Sequence, residues 1–397
     1  MNSVHSIALC CLMVLLGLGS YVQARAADQQ NRIIYVRAPD DRAPWPVQDI
    51  YSVNADGTDD HALTNDGHSH SPQVSPDGKQ ILFIHDTALQ RPPQHREMPG
   101  FESYHSTELC LMDSNGGHRR VLLYAEGGVK SGVWSPDGRS IGAGYCPNPQ
   151  RDEKCGFYVM PAEGEGPGRR LLGNVLYARW SPDGTKVAAA VREPGDSPTT
   201  LHVLNADGSH DISLVRPEDN SQFAVFGAWS PDSQKVVYSV VPAGQSYSLY
   251  VAKADGSERV EIGDPRHYPT AIDGAWSPDS KLIAFDAFKR PQRDERMGQQ
   301  QIFLANADGT NVHVYTADPD WGCVAPSWSA DGKEMTFFCR AYSAPCADMA
   351  SGPPSTRPLG CVRRVFVTSS TDPISKLTPI IDHDGAGPAF LSGTDPE

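Results

Sequence analysis

Along the chain, short apolar and β-branched runs alternate with turns rich in Gly, Pro, Asp and Asn. Runs such as Gln80-Ile81-Leu82-Phe83-Ile84, Lys186-Val187-Ala188-Ala189-Ala190, Lys235-Val236-Val237-Tyr238-Ser239 and Lys281-Leu282-Ile283-Ala284-Phe285 are largely apolar and β-rich, which predicts strands buried on both faces. Each follows a near-copy of Trp134-Ser135-Pro136-Asp137-Gly138. The other copies are Val74 to Gly78, Trp180 to Gly184, Trp229 to Ser233, Trp276 to Ser280, and Trp328 to Gly332. Pro presets φ at the first turn position and Gly accepts φ > 0 at the last, so the repeated pattern predicts a tight turn between two strands. The copies recur at intervals of roughly 45 to 60 residues, a period expected of propellers and solenoids.

A third strand, for example Leu201 to Leu204 or Ser248 to Val251, runs into a second recurrent turn: Asn54 to Gly57, Asn205 to Gly208, Ala254 to Gly256 and Asn306 to Gly309. Such Asp-Gly turns signal hairpins. A fourth strand, His61 to Thr64 or Arg119 to Leu123, closes the unit. Four antiparallel strands, repeated, make an all-β fold of propeller blades. Residues Arg32 to Thr64 supply only the last three strands of a unit. The tail Asp384 to Phe390 resembles Asp66 to Val74, the segment that enters the second unit. Six full units plus one shared between the termini predict seven blades, with the ring closed by N- and C-terminal strands in one blade; six blades is the alternative. Long insertions fall between second and third strands, at Arg37 to Gln48, Asp86 to Thr107, Cys146 to Cys155, Arg192 to Thr200, Asp286 to Gln301 and Cys339 to Cys361. They share one face with the loops entering the first strands, and insertions gathered on one face of a repeat array mark a binding face.

The Trp-Ser-Pro-Asp-Gly turn, the Lys-led apolar strand and the Ala-Asp-Gly hairpin together resemble the WD40-like repeat of the TolB β-propeller family, from about Arg32 to the C-terminus. That resemblance implies export and binding of a partner lipoprotein at the channel mouth. The chain departs from TolB in lacking its α/β domain before the propeller. Similar repeats occur in prolyl-oligopeptidase-like enzymes and in oligogalacturonate lyases. The first need a hydrolase domain with a Gly-x-Ser-x-Gly elbow; the match to that pentapeptide, Gly138-Arg139-Ser140-Ile141-Gly142, begins at the glycine of a recurrent Trp-Ser-Pro-Asp-Gly turn and reads as part of the repeat. The second implies a divalent metal held over the channel by His and Gln, with a base that removes a proton beside a uronate carboxylate.

The 397 residues carry a formal charge of −14, which argues against nucleic acid as a partner. Ile7 to Leu18 is apolar and precedes Ala24-Arg25-Ala26, which predicts a signal peptide over residues 1–26 and a single propeller domain over 27–397. The apolar run is too short to cross a bilayer, so no transmembrane segment is expected after cleavage, and the protein is expected in the periplasm or secreted. Export permits disulfides. Cys146 and Cys155 flank one loop and Cys339 and Cys361 another, so each pair is placed to close its own loop. Cys323 would then meet Cys346 and leave Cys110 as a thiol within a strand, although spacing alone leaves the connectivity open.

The motif aspartates Asp77, Asp137, Asp183, Asp232, Asp279 and Asp331 repeat too regularly to be catalytic and read as turn acceptors. The repeated Trp residues read as packing between blades. Candidate binding residues are those assigned to loops between fourth and first strands: His68, His70, Lys130, Tyr177, Arg179, Phe226, His267, Tyr268, Trp321 and His383. Phe223 and Arg266 belong to the same class. Their aromatics suit a protein or glycan surface. The expectation is an exported, non-catalytic binding or scaffold module without a cofactor, acting on an envelope or secreted protein or a glycan. The alternative is a metal-dependent lyase of the oligogalacturonate type, for which His68, His70, His267 and His383 are the candidate ligands.

Overall fold

In the computed structural model, the described residues are 32–37, 48–54, 58–87, 106–148, 154–164, 166–192, 199–215, 221–242, 247–264, 266–268, 271–288, 300–316, 321–329, 332–341 and 363–369. They form seven antiparallel sheets in chain order and no helix. The first sheet holds β1 (Arg32–Arg37), β2 (Asp49–Asn54) and β3 (His61–Ala62). The second holds β4 (Ser69–Val74), β5 (Gln80–Asp86), β6 (Thr107–Asp113) and β7 (Arg120–Ala125). The third is β8 (Val129–Trp134), β9 (Ser140–Tyr145), β10 (Gly156–Pro161) and β11 (Arg169–Gly173), and the fourth is β12 (Val175–Trp180), β13 (Lys186–Arg192), β14 (Thr199–Asn205) and β15 (Ile212–Ser213). The fifth comprises β16 (Ser221–Trp229), β17 (Lys235–Pro242), β18 (Ser248–Lys253) and β19 (Val260–Ile262). The sixth comprises β20 (Ile272–Trp276), β21 (Leu282–Phe288), β22 (Gln300–Asn306) and β23 (His313–Val314), and the seventh β24 (Trp321–Trp328), β25 (Glu334–Ala341) and β26 (Arg363–Ser369). Within each sheet the strands follow in sequence order, the up-and-down pattern of a propeller blade.

Burial follows from stacking sheet on sheet. Side chains of β5 alternate between neighbours: Ile81 and Phe83 pack with Ile34 and Ile50 of the first sheet, while Leu82 and Ile84 pack with Trp134 and Ile141 of the third. Phe83, Phe157, Tyr238, Phe285, Phe303 and Phe337 are wholly or almost wholly buried, each such side chain contributing on the order of 2 kcal/mol of apolar burial. The third sheet uses glycine to seat one of them. A Cβ on Gly142 would lie 2.2 Å from Cζ of Phe157, so a larger residue there would displace the ring.

The recurrent turn is a closed hydrogen-bond unit. Ser75 Oγ donates to Asp77 Oδ1 at 2.7 Å and accepts the N–H of Gln80 at 2.9 Å, while Asp77 Oδ1 accepts the N–H of Lys79 at 3.1 Å. The same bonds recur around Ser135 and Asp137, Ser181 and Asp183, Ser230 and Asp232, and Ser277 and Asp279. The hydrogen bond from the preceding serine holds Asp77, Asp137 and Asp279 below the ordinary carboxylate value. These aspartates are architectural.

Neighbouring turns are stitched together. A Cβ on Gly138 or Gly184 would lie 3.6 Å from the ring of Pro76 or Pro136, and one on Gly332 3.4 Å from that of Pro278. Two copies end in serine instead, at φ 61° for Ser233 and 59° for Ser280. A side chain at such φ costs about 1 kcal/mol. Here the hydroxyl accepts a backbone N–H of the preceding sheet's turn, Asp183 N to Ser233 Oγ at 3.0 Å and Asp232 N to Ser280 Oγ at 3.3 Å, which offsets a cost of that size. The motif tryptophans add a second stitch. Indole N–H groups of Trp134, Trp229 and Trp328 donate to the backbone carbonyls of Gln73, Arg179 and Ala275 on the preceding inner strand, at 3.2, 3.2 and 3.3 Å.

The disulfides correct one expectation. Cys146 bonds Cys155 as expected, but Cys323 bonds Cys339, so neither Cys339–Cys361 nor Cys323–Cys346 forms. Cys323 and Cys339 stand directly opposite in the β24–β25 register, with Cα atoms 4.1 Å apart. Direct cross-strand neighbours are within bridging reach, whereas the expected partners required the chain to return from a long connector. Cys110, in β6, is buried and carries a thiol, and burial pushes that thiol up to about 11. Cys346, Cys361, the expected signal segment and the tail lie outside the described residues.

Two outcomes test this architecture. Trp134→Phe and Trp180→Phe remove similar ring area, but the Trp180 indole N–H is buried without a hydrogen-bond partner among the described residues. Trp134→Phe should therefore cost about 1 kcal/mol more in denaturant unfolding, the worth of its bond to Gln73. If the tail completes the first sheet, deleting residues 387–397 lowers the thermal midpoint of the whole domain; an unchanged midpoint favours six blades.

Candidate functional site

The connectors from first to second strands, such as Ser135 to Arg139 and Ser181 to Thr185, are short and uniform. Those from second to third strands are long and unequal, from Thr87 to Ser106 in the second sheet and from 289 to 299 in the sixth. The two sets lie at opposite ends of the strands, so the domain has a stitched turn face and a loop face. The inner strands run between them.

Every first strand of the second to seventh sheets contains a β-bulge. The register slips between His70 and Gln73, Val129 and Ser131, Val175 and Tyr177, Ser221 and Phe223, Ile272 and Ala275, and Val324 and Ser327, with a second slip in β16 between Phe226 and Ala228. Ser71 and Ala325 take φ of 55° and 54° at their bulges. Bulges add residues without ending the strand and re-aim side chains. This corrects the assignment of Lys130, Tyr177, Arg179, Phe223, Phe226 and Trp321 to loops. All six are strand residues, in β8, β12, β16 and β24, because each bulged first strand begins several residues earlier than the repeat pattern indicates. His70 likewise lies within β4, whereas His68, Arg266, His267 and Tyr268 are loop residues.

On these strands Lys130 is exposed. Tyr177 and Arg179 share one face of β12; burial pulls the Arg179 guanidinium below its ordinary value, Tyr177 opposing, and its Nη1 donates to Ala178 O at 3.0 Å. His70 Nδ1 is 2.9 Å from Ser71 Oγ, and its Nε2 is 3.5 Å from Asp86 Oδ1. The His68 ring meets the His85 ring edge-on at 6.3 Å. His267 is exposed, with Nδ1 3.3 Å from Asp264 Oδ2, and Arg266 clasps the same carboxylate and holds it well below the usual range. Tyr268 packs edge-on at 5.0 Å against buried Phe303, so it supports the core under the loop. It also lines a cleft of about 600 Å³ with Glu261, Asp264, Arg266 and Gly309, between the fifth and sixth sheets.

His70 lies in the second sheet, His68 just before it and His267 on the approach to the sixth, and among the described residues no group of three or more His, Cys, Asp or Glu could hold a metal ion. His383 and the side chains of Phe226 and Trp321 lie outside the described residues.

Two polar centres were not foreseen. Asp286, assigned from sequence to a loop, is fully buried in β21. Its Oδ1 accepts the N–H of Ala325 at 3.1 Å, fixing the bulge of β24, and its Oδ2 accepts from the Gln300 amide. Strand β21 outruns its apolar run, and the only signal was a charge interrupting it. The second centre lies between the first two sheets. Asp66 is bonded by Arg119, by the N–H of His68 at 3.0 Å and by Ser69 Oγ at 2.9 Å, with His85 Nδ1 3.5 Å away. Burial raises Asp66, but these donors outweigh it and hold the carboxyl low. The Arg119 guanidinium lies 5.0 Å above the Phe83 ring. Burial and the Arg119 charge push His85 down. No local signal joins residues separated by 53 positions.

The sequence model of the TolB beta propeller domain matches residues 173–351. Among solved structures, the β-propeller domain of the Trilobed protease from Pyrococcus furiosus superposes with a TM-score of 0.55 at 15% identity, over 89% of this chain and 97% of that one. A prolyl endopeptidase gives a TM-score of 0.60 at 14% identity over 95% of this chain, which spans 53% of the endopeptidase. An oligogalacturonate lyase from Vibrio parahaemolyticus gives 0.51 at 15% identity, over 73% of this chain and 80% of that one. At these identities the likeness is one of fold. No curated protein matches the chain.

The Asp66 centre makes a pH prediction. The folded-state value of His85 is depressed, so the unfolded chain takes up its proton first, and the His85 contribution to stability falls as pH drops through the usual histidine range. Arg119→Met keeps an unbranched side chain of similar reach and removes the charge above Phe83. His85 should then titrate at higher pH by NMR, and the fall in thermal midpoint below neutral pH should become shallower.

Proposed function

We propose that the TolB-like β-propeller carried by this chain is an exported, non-catalytic binding or scaffold module that engages an envelope or secreted protein, or a glycan, through its loop face. The asymmetry of the two faces carries this reading. On the turn face the recurrent Ser, Asp, Gly and Trp groups are consumed in holding sheet to sheet, and connector length hardly varies. On the loop face the connectors vary freely, as in repeat proteins whose loops meet a ligand. Lys130, Tyr177 and His70 lie within three residues of the loop-face ends of bulged inner strands and supply cationic and aromatic groups suited to a polar, partly apolar partner, with Arg179 further along β12. Likeness of fold to an oligogalacturonate lyase keeps one catalytic alternative in view, with the loop histidines as metal ligands.

The test is affinity capture from an envelope extract, with wild-type protein, a loop-face variant (Lys130→Ala, Tyr177→Ala) and a turn-face variant (Lys79→Ala, Lys281→Ala). The expected result is a defined partner lost more than tenfold by the loop-face variant and retained by the turn-face variant, with thermal midpoints unchanged. Equal retention by both variants would show that the wrong face was chosen. Manganese-dependent release of unsaturated products from uronate oligomers by the purified protein would replace this reading with the lyase.

A further inference from the structure

The outer strand of each blade leaves an open sheet edge, a template for unwanted pairing that native proteins blunt by shortening the strand or charging it. Most outer strands here are blunted. β3, β15 and β23 have two residues each and β19 has three, while β11 opens with the exposed pair Arg169 and Arg170. β7 differs. It runs for six residues and carries no charge after Arg120, and Val121 and Tyr124 are 47% and 51% exposed, the large apolar side chains that stand exposed among the described residues.

Register explains why both are on show. Val121 stands opposite Cys110, Leu123 opposite Leu109 and Tyr124 opposite Glu108, with Leu122 as the extra residue of a bulge. Residues three apart on a regular strand face opposite sides. The bulge instead turns Val121 and Tyr124 to the same side, the one on which Cys110 packs with Ile34 and Ile50 of the first sheet. The outer strand of that first sheet is β3, only two residues long, too short to cover them. Tyr145 Oη reaches the Tyr124 carbonyl at 3.3 Å and Gly128 N–H the Ala125 carbonyl at 3.3 Å, both near the end of the strand.

We propose that β7 docks an extended segment of a partner protein as a fifth, antiparallel strand of the second sheet. A six-residue edge is about 20 Å long, and pairing it with the same edge of a second copy would bury far less than the roughly 800 Å² per partner of a stable interface. An extended segment brings its own backbone donors and acceptors and lays alternate side chains over Val121 and Tyr124, the recognised mode of strand addition. Charge sets its direction. Arg120 stands at the start of β7 and exposed Glu126 just beyond its end, so an antiparallel occupant has a carboxylate at its C-terminal end and a cation at its N-terminal end. This surface is the edge of one sheet and not the loop face, so either can fail without the other.

The probe is a labelled synthetic peptide of alternating valine and threonine, lysine at its N-terminus and glutamate at its C-terminus, titrated by fluorescence anisotropy. Expected are saturable binding, slowed amide exchange confined to β7, a loss of at least tenfold in the double variant Val121→Lys, Tyr124→Lys, and loss of binding by the same peptide with alternate backbone nitrogens methylated. The single variant Tyr124→Thr, chosen as a milder change that keeps a strand-forming residue, should lose affinity with its thermal midpoint unchanged. Equal binding by the methylated peptide, undiminished binding by both variants, or no binding at all overturns the proposal. So does a concentration-dependent dimer in sedimentation that the double variant abolishes, because the occupant would then be a second copy.

Discussion

The structure depends on how one sheet is fastened to the next. A four-stranded sheet whose two faces are both apolar has no stable existence alone, and its neighbours must be held at a fixed angle and height. That hold comes from the recurrent turn, where a proline ring meets the next sheet's glycine, or a serine hydroxyl takes a backbone N–H, while three of the motif indoles reach back to an inner-strand carbonyl. Each contact is small. Repeated from the second sheet to the seventh, they fix the whole turn face, and the sequence variation of that face is correspondingly narrow.

Because these groups are used up in fastening, variation is displaced to the opposite connectors and to the inner strands. The inner strands accommodate extra residues by bulging, which leaves the outer ladder intact while changing which side chains the strand presents. Asp286 shows the cost of that solution. A fully buried carboxylate is spent on the backbone N–H of Ala325 so that a residue at positive φ can be held in β24. The Asp66 centre does comparable work between the first two sheets, where Arg119 spans from the third-to-fourth-strand turn across Phe83.

The fold was legible in the sequence to a large extent. Strands such as β5, β13 and β17 begin at the residues their patterns indicate, since turn residues with special φ announce the start of each strand directly. Ends were less legible, and the candidate site least of all. Lys130, Tyr177 and Arg179 were assigned to loops, but the inner strands β8 and β12 extend through a bulge back to Val129 and Val175. Tyr268 was offered as a binding aromatic, and its ring packs edge-on against the buried Phe303.

By itself, the sequence determined what depends on local backbone geometry and repetition: the turn chemistry, the strand order within a unit and the structural role of the motif aspartates. Only the tertiary structure decided what depends on residues far apart in the chain coming together. It paired Cys323 with Cys339 across a strand register, placed Arg119 on Asp66, and left Val121 and Tyr124 of β7 exposed beside a two-residue neighbour. The physical reason is common to all three. Turn preferences act over a few residues, whereas register slips and unequal strand lengths have consequences only when one sheet is laid against another.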